Sequence, residues 1–394
     1  MASELDFLGG DGSGRRLLVV SHPAIVDVNQ LVYRELMRRG WSVTVVLPTH
    51  WRSEYSGARM APTPLPGMEQ ALRPTPVVLA GRPQRHLYLT RCRATCRRVL
   101  PDVAFVEAEP YSLPSFQWAF AFTRLGIPFG VQCYENIDRP LPTPIRALRG
   151  WLLRHCAFVA ARSRTAGELA RDWGAHGEIG FAPPAVPGWE LRRDGRERPF
   201  TVGYAGRLVP SKGLADLLAA VRRLPEPVQL LLIGDGELRG ELEGQPVPGS
   251  RVRVLSGIPH DRMNEAYAQI DVLVLPSRTT PTWKEQFGRV IVEALWCGVP
   301  VVGSDSGEIP WLVELTGGGL VFAEGDSAAL ADRLEELRAA PRLRQRLAEE
   351  GRAAVERMFT VASATDALER LLSAAARPPA PSTGARARAS SAPS

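Results

Sequence analysis

Two glutamates eight residues apart, Glu285 and Glu293, flank a Phe287-Gly288 pair in the stretch Thr282-Trp-Lys-Glu-Gln-Phe-Gly-Arg-Val-Ile-Val-Glu-Ala-Leu-Trp-Cys-Gly298. Carboxylates accept hydrogen bonds strongly, and a site built for hydroxyls rejects ligands that lack them. Between the two acids the chain enters a helix, near Phe287, Gly288, Arg289 and Val290, whose first-turn N–H groups and dipole favour an anion such as a phosphate. From Gly288 to Glu293 an α-helix rises about 7.5 Å. A ligand with its diphosphate on the helix tip could then present one hydroxyl-rich end to Glu285 and the other to Glu293. A nucleotide diphosphate sugar has this layout, with hexose, diphosphate, ribose and base in line. Most glutamate pairs at this spacing are solvated helix charges; the adjoining Phe-Gly and Cys297-Gly-Val-Pro-Val-Val302 set this one apart.

The flanking segments supply the scaffold. Asp271-Val-Leu-Val-Leu-Pro-Ser277 is an apolar run of the kind that forms a buried parallel strand, and Val299 to Val302 begin another. The helix between them places Val290, Ala294 and Leu295 on one face. In open parallel sheets ligands bind at the carboxyl ends of strands. A second loop repeats the arrangement: Phe200-Thr-Val-Gly-Tyr-Ala-Gly-Arg-Leu208, then Val-Pro-Ser-Lys-Gly213 and a helix over 214–223. Here Gly206 permits close approach, Arg207 offers a bidentate fork and Lys212 a compact ammonium. Of 48 basic side chains only Lys212 and Lys284 are lysines. Gly234-Asp-Gly236 closes a third strand.

The pattern E-x-F-G-x-x-x-x-E-A-x-x-C-G-x-P-V-V, together with G-R-L-x-x-x-K-G, resembles the signature of the retaining GT-B glycosyltransferases of family four, the glycosyl transferases group 1. That resemblance implies an α/β protein of two Rossmann-like parallel-sheet domains facing across a cleft, with a C-terminal helix crossing back to the first. It implies a leader over 1–14, an acceptor domain over 15–187, a linker over 188–198, a nucleotide-sugar domain over 199–355, a crossover helix over 356–374 and a tail over 375–394. Donor binding falls to Gly206, Arg207, Lys212, Gly234, Ile258, Glu285, Phe287, Gly288, Arg289, Val290 and Glu293, with Glu285, Arg207 and Lys212 in the catalytic roles. Acceptor contacts are expected from His22, Asn29, Glu109, Tyr134 and Glu135. The sequence departs from the family in three places. The first loop, Ser21 to Asn29, lacks Gly-Gly; Gln132 to Glu135 replace a histidine found in many relatives; and Trp311 follows Pro310 where relatives place Glu.

Composition narrows the class. The chain has 394 residues, 45% hydrophobic and 23% charged, enough for two globular domains. Its net charge of +6 is carried in part by Arg377, Arg386 and Arg388 of a Pro-, Ala- and Ser-rich end, the rest being interspersed, which argues against nucleic acid. Five cysteines without paired spacing read as reduced structural thiols, even with Cys92, Cys96 and His86 close in sequence. Met1 to Gly14 is acidic and glycine-rich, unlike a signal peptide, and no run of eighteen apolar residues occurs. A cytoplasmic protein is expected. The amphipathic helix over 144–156, with Ile145, Leu148, Trp151 and Leu152 on one side and Arg146, Arg149 and Arg154 elsewhere, would pack on the domain or contact a membrane peripherally.

The expected activity is transfer of a hexose-type sugar from a nucleotide diphosphate sugar to a small-molecule or glycan acceptor with retention of configuration. No other cofactor and no metal is expected, because Arg207, Lys212 and the helix N–H groups would stabilise the leaving diphosphate. The competing readings are a sugar-nucleotide epimerase of the same architecture, a phosphorylase, which would need a pyridoxal lysine, and a catalytically silent sugar-nucleotide-binding module.

Overall fold

A computed structural model describes residues 14–52, 57–190, 198–244 and 250–376. The expected leader and tail, and most of the expected linker, lie outside these residues. Seven strands of the first domain are β1 (Arg16–Ser21), β2 (Ser42–Pro48), β3 (Leu72–Thr75), β4 (Val103–Glu107), β5 (Phe129–Cys133), β6 (Phe158–Ala161) and β7 (Glu178–Phe181). They form one parallel sheet in the order β7-β6-β5-β4-β1-β2-β3. Six strands of the second domain, β8 (Thr201–Ala205), β9 (Gln229–Ile233), β10 (Arg251–Leu255), β11 (Val272–Leu275), β12 (Val301–Ser304) and β13 (Gly319–Phe322), are ordered β10-β9-β8-β11-β12-β13. Both orders reverse direction beside their first strand. The resulting crevices, at the carboxyl ends of β1/β4 and of β8/β11, are where doubly wound sheets bind ligands.

The strands are legible as apolar runs because helices cover both faces of each sheet: Leu17 to Val20 and Val272 to Leu275 are all buried. In the first domain α1 (Leu31–Arg38) covers one face. On the other lie α2 (Cys92–Val99), α3 (Leu113–Leu125), α4 (Thr143–His155) and α5 (Arg164–Asp172), with a short hairpin pairing Val77–Val78 with Leu87–Tyr88. In the second domain α6 (Leu214–Arg223), α7 (Arg239–Gly244), α8 (Met263–Tyr267), α9 (Arg289–Trp296), α10 (Ile309–Thr316), α11 (Ser327–Ala339) and α12 (Pro341–Met358) enclose a single core. The last helix, α13 (Val361–Ala375), packs Leu368, Leu371 and Leu372 into the first domain beside α1. The chain crosses between domains twice, and the crossings touch where Val186 N–H donates to Phe359 O at 2.7 Å.

Several local expectations change. The sequence Gln30 to Arg39 suggests a helix from its first residue, but α1 begins at Leu31, after two 3-10 turns, because the Gln30 amide donates to Ala24 O and Thr63 O. The expected crossover helix over 356–374 is interrupted at Phe359, which is fully buried, and restarts where Thr360 caps Ser363 N–H. In α4 Arg149 is buried rather than solvated, its guanidinium 4.1 Å above the Trp173 ring, whereas Leu148 of the expected apolar side is exposed. Val290 is only half-buried; Ile291 takes its place in the core. Nor is charge evenly interspersed: exposed arginines gather on the α2–α4 side of the first domain. All five cysteines are free.

Candidate functional site

The crevice at β8/β11 is assembled from four glycine-bearing turns. Gly206 and Gly234 follow β8 and β9 with φ of +146° and +151°, and a Cβ on Gly234 would stand 1.8 Å from Gly206 O. The two loops therefore interlock, and only glycine fits at Gly234. Lys212 ends a 3-10 turn over Pro210–Lys212, and Gly213 behind it takes φ +68° against Pro276 O. Gly288 caps α9 at φ +75°. No side chain caps that helix; Ile291 N–H is taken by Gly288 O at 2.8 Å, which leaves the N–H groups ahead of it for an anion.

Glu285 sits at this junction. Its Oε2 accepts from Lys212 Nζ at 2.5 Å and from Ser277 Oγ at 2.8 Å, with both members of the ion pair buried. The Lys212 ammonium also lies 4.5 Å above the Trp283 ring. The backbone oxygen of Glu285 receives Glu308 N–H at 3.0 Å and, from the first domain, Asn136 Nδ2 at 2.7 Å. The structure thus joins Lys212, which the sequence assigned to the diphosphate, and Glu285, assigned to one hydroxyl-rich end of the ligand, into a single unit at the foot of α9. Arg207 follows Gly206 at the same edge, its carbonyl held by Tyr204 OH.

Glu293, inside α9, is 4% exposed and has a separate set of partners. Tyr267 OH donates to it at 2.9 Å, Arg289 pairs with it at 3.0 Å, and His260 Nε2 lies 3.1 Å away. Burial, with the Glu293 charge adding, raises the Tyr267 hydroxyl well above the ordinary tyrosine range, which keeps it a donor. Trp189 stacks tilted on His260, 5.2 Å between rings. Ile258, half-buried two residues before His260, rests on the second-domain core.

The first-domain candidates split into groups. Asn29 donates to Pro23 O and shares a cavity of about 60 Å³ with Arg289, Arg162, Tyr33 and Glu107, so this loop meets the donor-side helix between the domains. His22 stacks on Trp51 at 4.8 Å and on His86 at 5.3 Å; its Nδ1 and the Nε2 of His86 are buried without a hydrogen-bond partner. Burial lowers the two imidazoles to about 3 and about 4. Glu109 accepts Tyr134 N–H through Oε1 while Oε2 is buried without a partner, and burial lifts this carboxyl to about 8. Tyr134 packs against the second-domain core. Glu135 is engaged by Tyr111 OH at 2.8 Å from the segment after β4, and within its own loop by Arg139 Nε at 2.9 Å and the Asn136 N–H at 3.1 Å.

Sequence reasoning missed Ser277, Asn136, Tyr267, His260, Trp51 and His86. Only Ser277, at the end of the motif's leading strand, and Trp283, inside the motif, carried a local signal. The others arrive from distant stretches. Among the described residues no group of three or more His, Cys, Asp or Glu is placed to hold a metal ion, and no helix is long and apolar enough to cross a membrane.

Comparison with known proteins agrees with this geometry. The family model described as glycosyl transferases group 1 matches residues 189–354. The lipopolysaccharide core biosynthesis glycosyltransferase LpsE of Rhizobium meliloti is 31% identical over 297 residues, 73% of this chain and 80% of that protein. A 2-deoxystreptamine glucosyltransferase of Streptomyces kanamyceticus is 26% identical over 310 residues, covering 71% and 78%. Among solved structures, Anabaena HepE in complex with UDP superposes with a TM-score of 0.68 over 91% of this chain and 100% of that one, at 19% identity, a likeness of fold. With LpsE related over most of both chains and the family match spanning the Glu285–Glu293 helix, this chain belongs to the glycosyl transferases group 1 and is a glycosyltransferase of GT-B fold.

Proposed function

We propose that the protein transfers a hexose-type sugar from a nucleotide diphosphate sugar to a hydroxyl-bearing acceptor, with retention of anomeric configuration. The observation that carries this reading is the buried Lys212–Glu285 pair at the uncapped tip of α9, with Arg207 on the adjoining loop. A diphosphate seated there meets an ammonium, a guanidinium and the helix N–H groups, which stabilise the charge that grows on it as the glycosidic bond breaks. Glu285, already gripping Lys212, is placed to accept from sugar hydroxyls, and Glu293 with His260 lies where the ribose end would fall. These cationic groups take the part a divalent ion would play, so transfer should persist in EDTA. The acceptor would enter against the His22–Trp51–His86 rings and Glu109.

LpsE and the deoxystreptamine glucosyltransferase bear names from envelope glycan and specialised-metabolite synthesis, and either class of acceptor suits a pocket of aromatic rings and polar atoms. A thermal-shift panel of UDP-, GDP- and other nucleotide sugars identifies the donor, and transfer is then followed with that donor and candidate acceptors. Lys212→Ala alone leaves a buried carboxylate without its cation, which costs about 3–5 kcal/mol. The double variant Lys212→Ala/Glu285→Ala avoids that penalty. Expected is a loss of transfer of at least a hundredfold in both, with the circular dichroism of the double variant unchanged. Wild-type turnover by the folded double variant would move the donor site elsewhere. Formation of an epimer from donor alone would favour the epimerase reading.

A further inference from the structure

Two polar side chains meet over Glu285, one from each domain, and each keeps an oxygen that the fold does not satisfy. Asn136, in the segment after β5, donates from Nδ2 to Glu285 O at 2.7 Å. Glu308, at the N-cap of α10, donates its backbone N–H to the same oxygen at 3.0 Å. Because a carbonyl oxygen only accepts, this bond fixes which end of the Asn136 amide faces it, and the acceptor Oδ1 is the end left over. Asn136 Oδ1 and Glu308 Oε2 are both buried without a hydrogen-bond partner, in residues each 2% exposed.

The loop that carries Glu308 is pressed against Glu285. Gly307 has φ +58°, and a Cβ there would stand 2.1 Å from Glu285 O. The hydroxyls beside it are engaged: Ser304 Oγ donates to Ser277 O at 2.6 Å, and Ser306 Oγ pairs with Thr279 Oγ1 at 3.0 Å. Burial raises the Glu308 carboxyl above its ordinary range, against opposing contacts from the Thr165 hydroxyl and N–H at the start of α5 and smaller effects of Arg164 and Lys284. Tying the domains together requires only the Asn136 amide N–H and the Glu308 N–H. Burying an acceptor without a donor is costly, and interiors rarely do so. Two such oxygens beside one catalytic glutamate therefore need a cause other than the tie.

We propose that Asn136 Oδ1 and Glu308 Oε2 form, with the Glu285 carboxylate, the wall that reads the hydroxyl protons of the donor's hexose. The inference rests on the transfer reading above, in which Glu285 accepts from sugar hydroxyls, and adds the two residues that decide which sugar fits. Acceptors converging from two domains call for donors, and a hexose that turns adjacent hydroxyls to this side supplies them. A sugar lacking a hydroxyl there leaves a buried oxygen unpaired, which is how a polar site discriminates between analogues of nearly equal size. Asn136 belongs to the first domain and Glu308 to the second, so the wall is complete only while the domains are in contact. A nucleotide diphosphate without its sugar makes no use of it.

The test is isothermal titration of the full chain, without acceptor, with UDP, UDP-glucose, GDP and GDP-mannose, and with the same sugars carrying fluorine in place of one hydroxyl at a time. Fluorine keeps the size and removes the proton. Glu308→Ala should bind the nucleotide diphosphate as wild type does and its hexose conjugate roughly ten- to hundredfold more weakly, the range for a hydrogen bond to a charged acceptor. Fluorination at the position that meets Glu308 should weaken binding to wild type by a similar factor and leave binding to Glu308→Ala nearly unchanged. Glu308→Gln, which keeps an oxygen without its charge, should fall between the two. Asn136→Ala should show the same pattern at a neighbouring position, whereas loss of a purely structural tie would weaken every analogue alike. Equal losses for nucleotide and nucleotide sugar, additive losses from variant and every fluorination, or wild-type sugar-nucleotide binding by both folded Glu308 variants would overturn the proposal. So would wild-type donor binding with impaired transfer, which would assign the two oxygens to the acceptor. If neither UDP nor GDP binds the wild-type chain, the transfer reading itself fails and this proposal with it.

Discussion

Glu285 and Glu109 are both buried carboxyls beside the cleft, and their surroundings push them toward opposite uses. Glu285 is met by an ammonium and a hydroxyl; Glu109 is met by neutral groups only, the Tyr134 and Glu135 backbone and the Cys133 thiol, with the Glu135 carboxylate nearby to repel its charge. Burial is the larger cause of the rise of Glu109 from 4.5 to about 8. Because the folded state holds this proton more tightly than the unfolded chain, Glu109 stabilises the fold relative to its ionised form below pH 4.5, and that contribution is lost as pH rises toward 8. Glu109→Gln should therefore raise the urea midpoint at pH 8.5 and leave it near wild type at pH 4.5, by a difference on the order of a few kcal/mol in stability. His86 has the opposite sign. Its ring is held neutral, so stability is present above 6.5 and falls as pH drops toward about 4; His86→Phe should flatten that acid limb. Parallel curves for wild type and either variant would show that the group is open to water. If Glu109 lies by the acceptor hydroxyl, Glu109→Gln should also shift the pH profile of transfer, which a purely structural carboxyl would leave in place.

At the scale of elements, turn geometry fixes where Lys212 points. Gly213 is backed against Pro276 O at the end of β11, where a Cβ would sit 1.8 Å from that oxygen. Gly213→Ala must displace either the Lys212 turn or the strand that carries Ser277, and positive φ adds strain. A loss of a few kcal/mol in stability is expected, together with weaker binding of whichever nucleotide sugar the thermal-shift panel selects. An unchanged denaturation midpoint would mean the turn yields without cost. These turns were readable in the sequence, because Gly-Arg closes an apolar run while Lys-Gly and Phe-Gly each open a helical pattern, and parallel strands covered on both faces have to be apolar runs. The unread parts have a common physical origin. Gln30 leaves its helix for carbonyls at Ala24 and Thr63, and Phe359 breaks a helix to fill a cavity between domains. Tyr267 and His260 reach Glu293 from α8 and the segment before it. Each depends on partners distant in the chain, which no local pattern encodes. Arg149 was misread for the same reason, since its burial is set by Trp173 on another helix.

The molecule as a whole must bring these two crevices together, and specific contacts across the domains do so. Asn136 from the first domain holds the Glu285 backbone; Phe359 at the second crossing touches Phe181 and Phe287; and Trp311 of α10 meets Phe181 of β7 edge-on at 5.4 Å. An edge-to-face pair contributes about 0.5–1.5 kcal/mol beyond the area it buries. Removing it bears on the arrangement in which the domains touch, since β7 belongs to the first-domain sheet while Phe181 at its end rests with Trp311 on the second-domain core. Trp311→Ala should accordingly shift the population toward separated domains, seen as a larger radius of gyration in solution scattering, while the unfolding midpoint of each domain barely moves. Transfer requires donor and acceptor in one closed cleft, so kcat should fall roughly three- to tenfold, matching that range of energies, with the donor dissociation constant near wild type. Trp311→Phe, which keeps a ring against Phe181, should recover most of the loss. If scattering and kcat are both unchanged in Trp311→Ala, the remaining contacts hold the domains together, and Asn136→Ala, which frees the Glu285 backbone oxygen, should then produce the separation that Trp311→Ala did not.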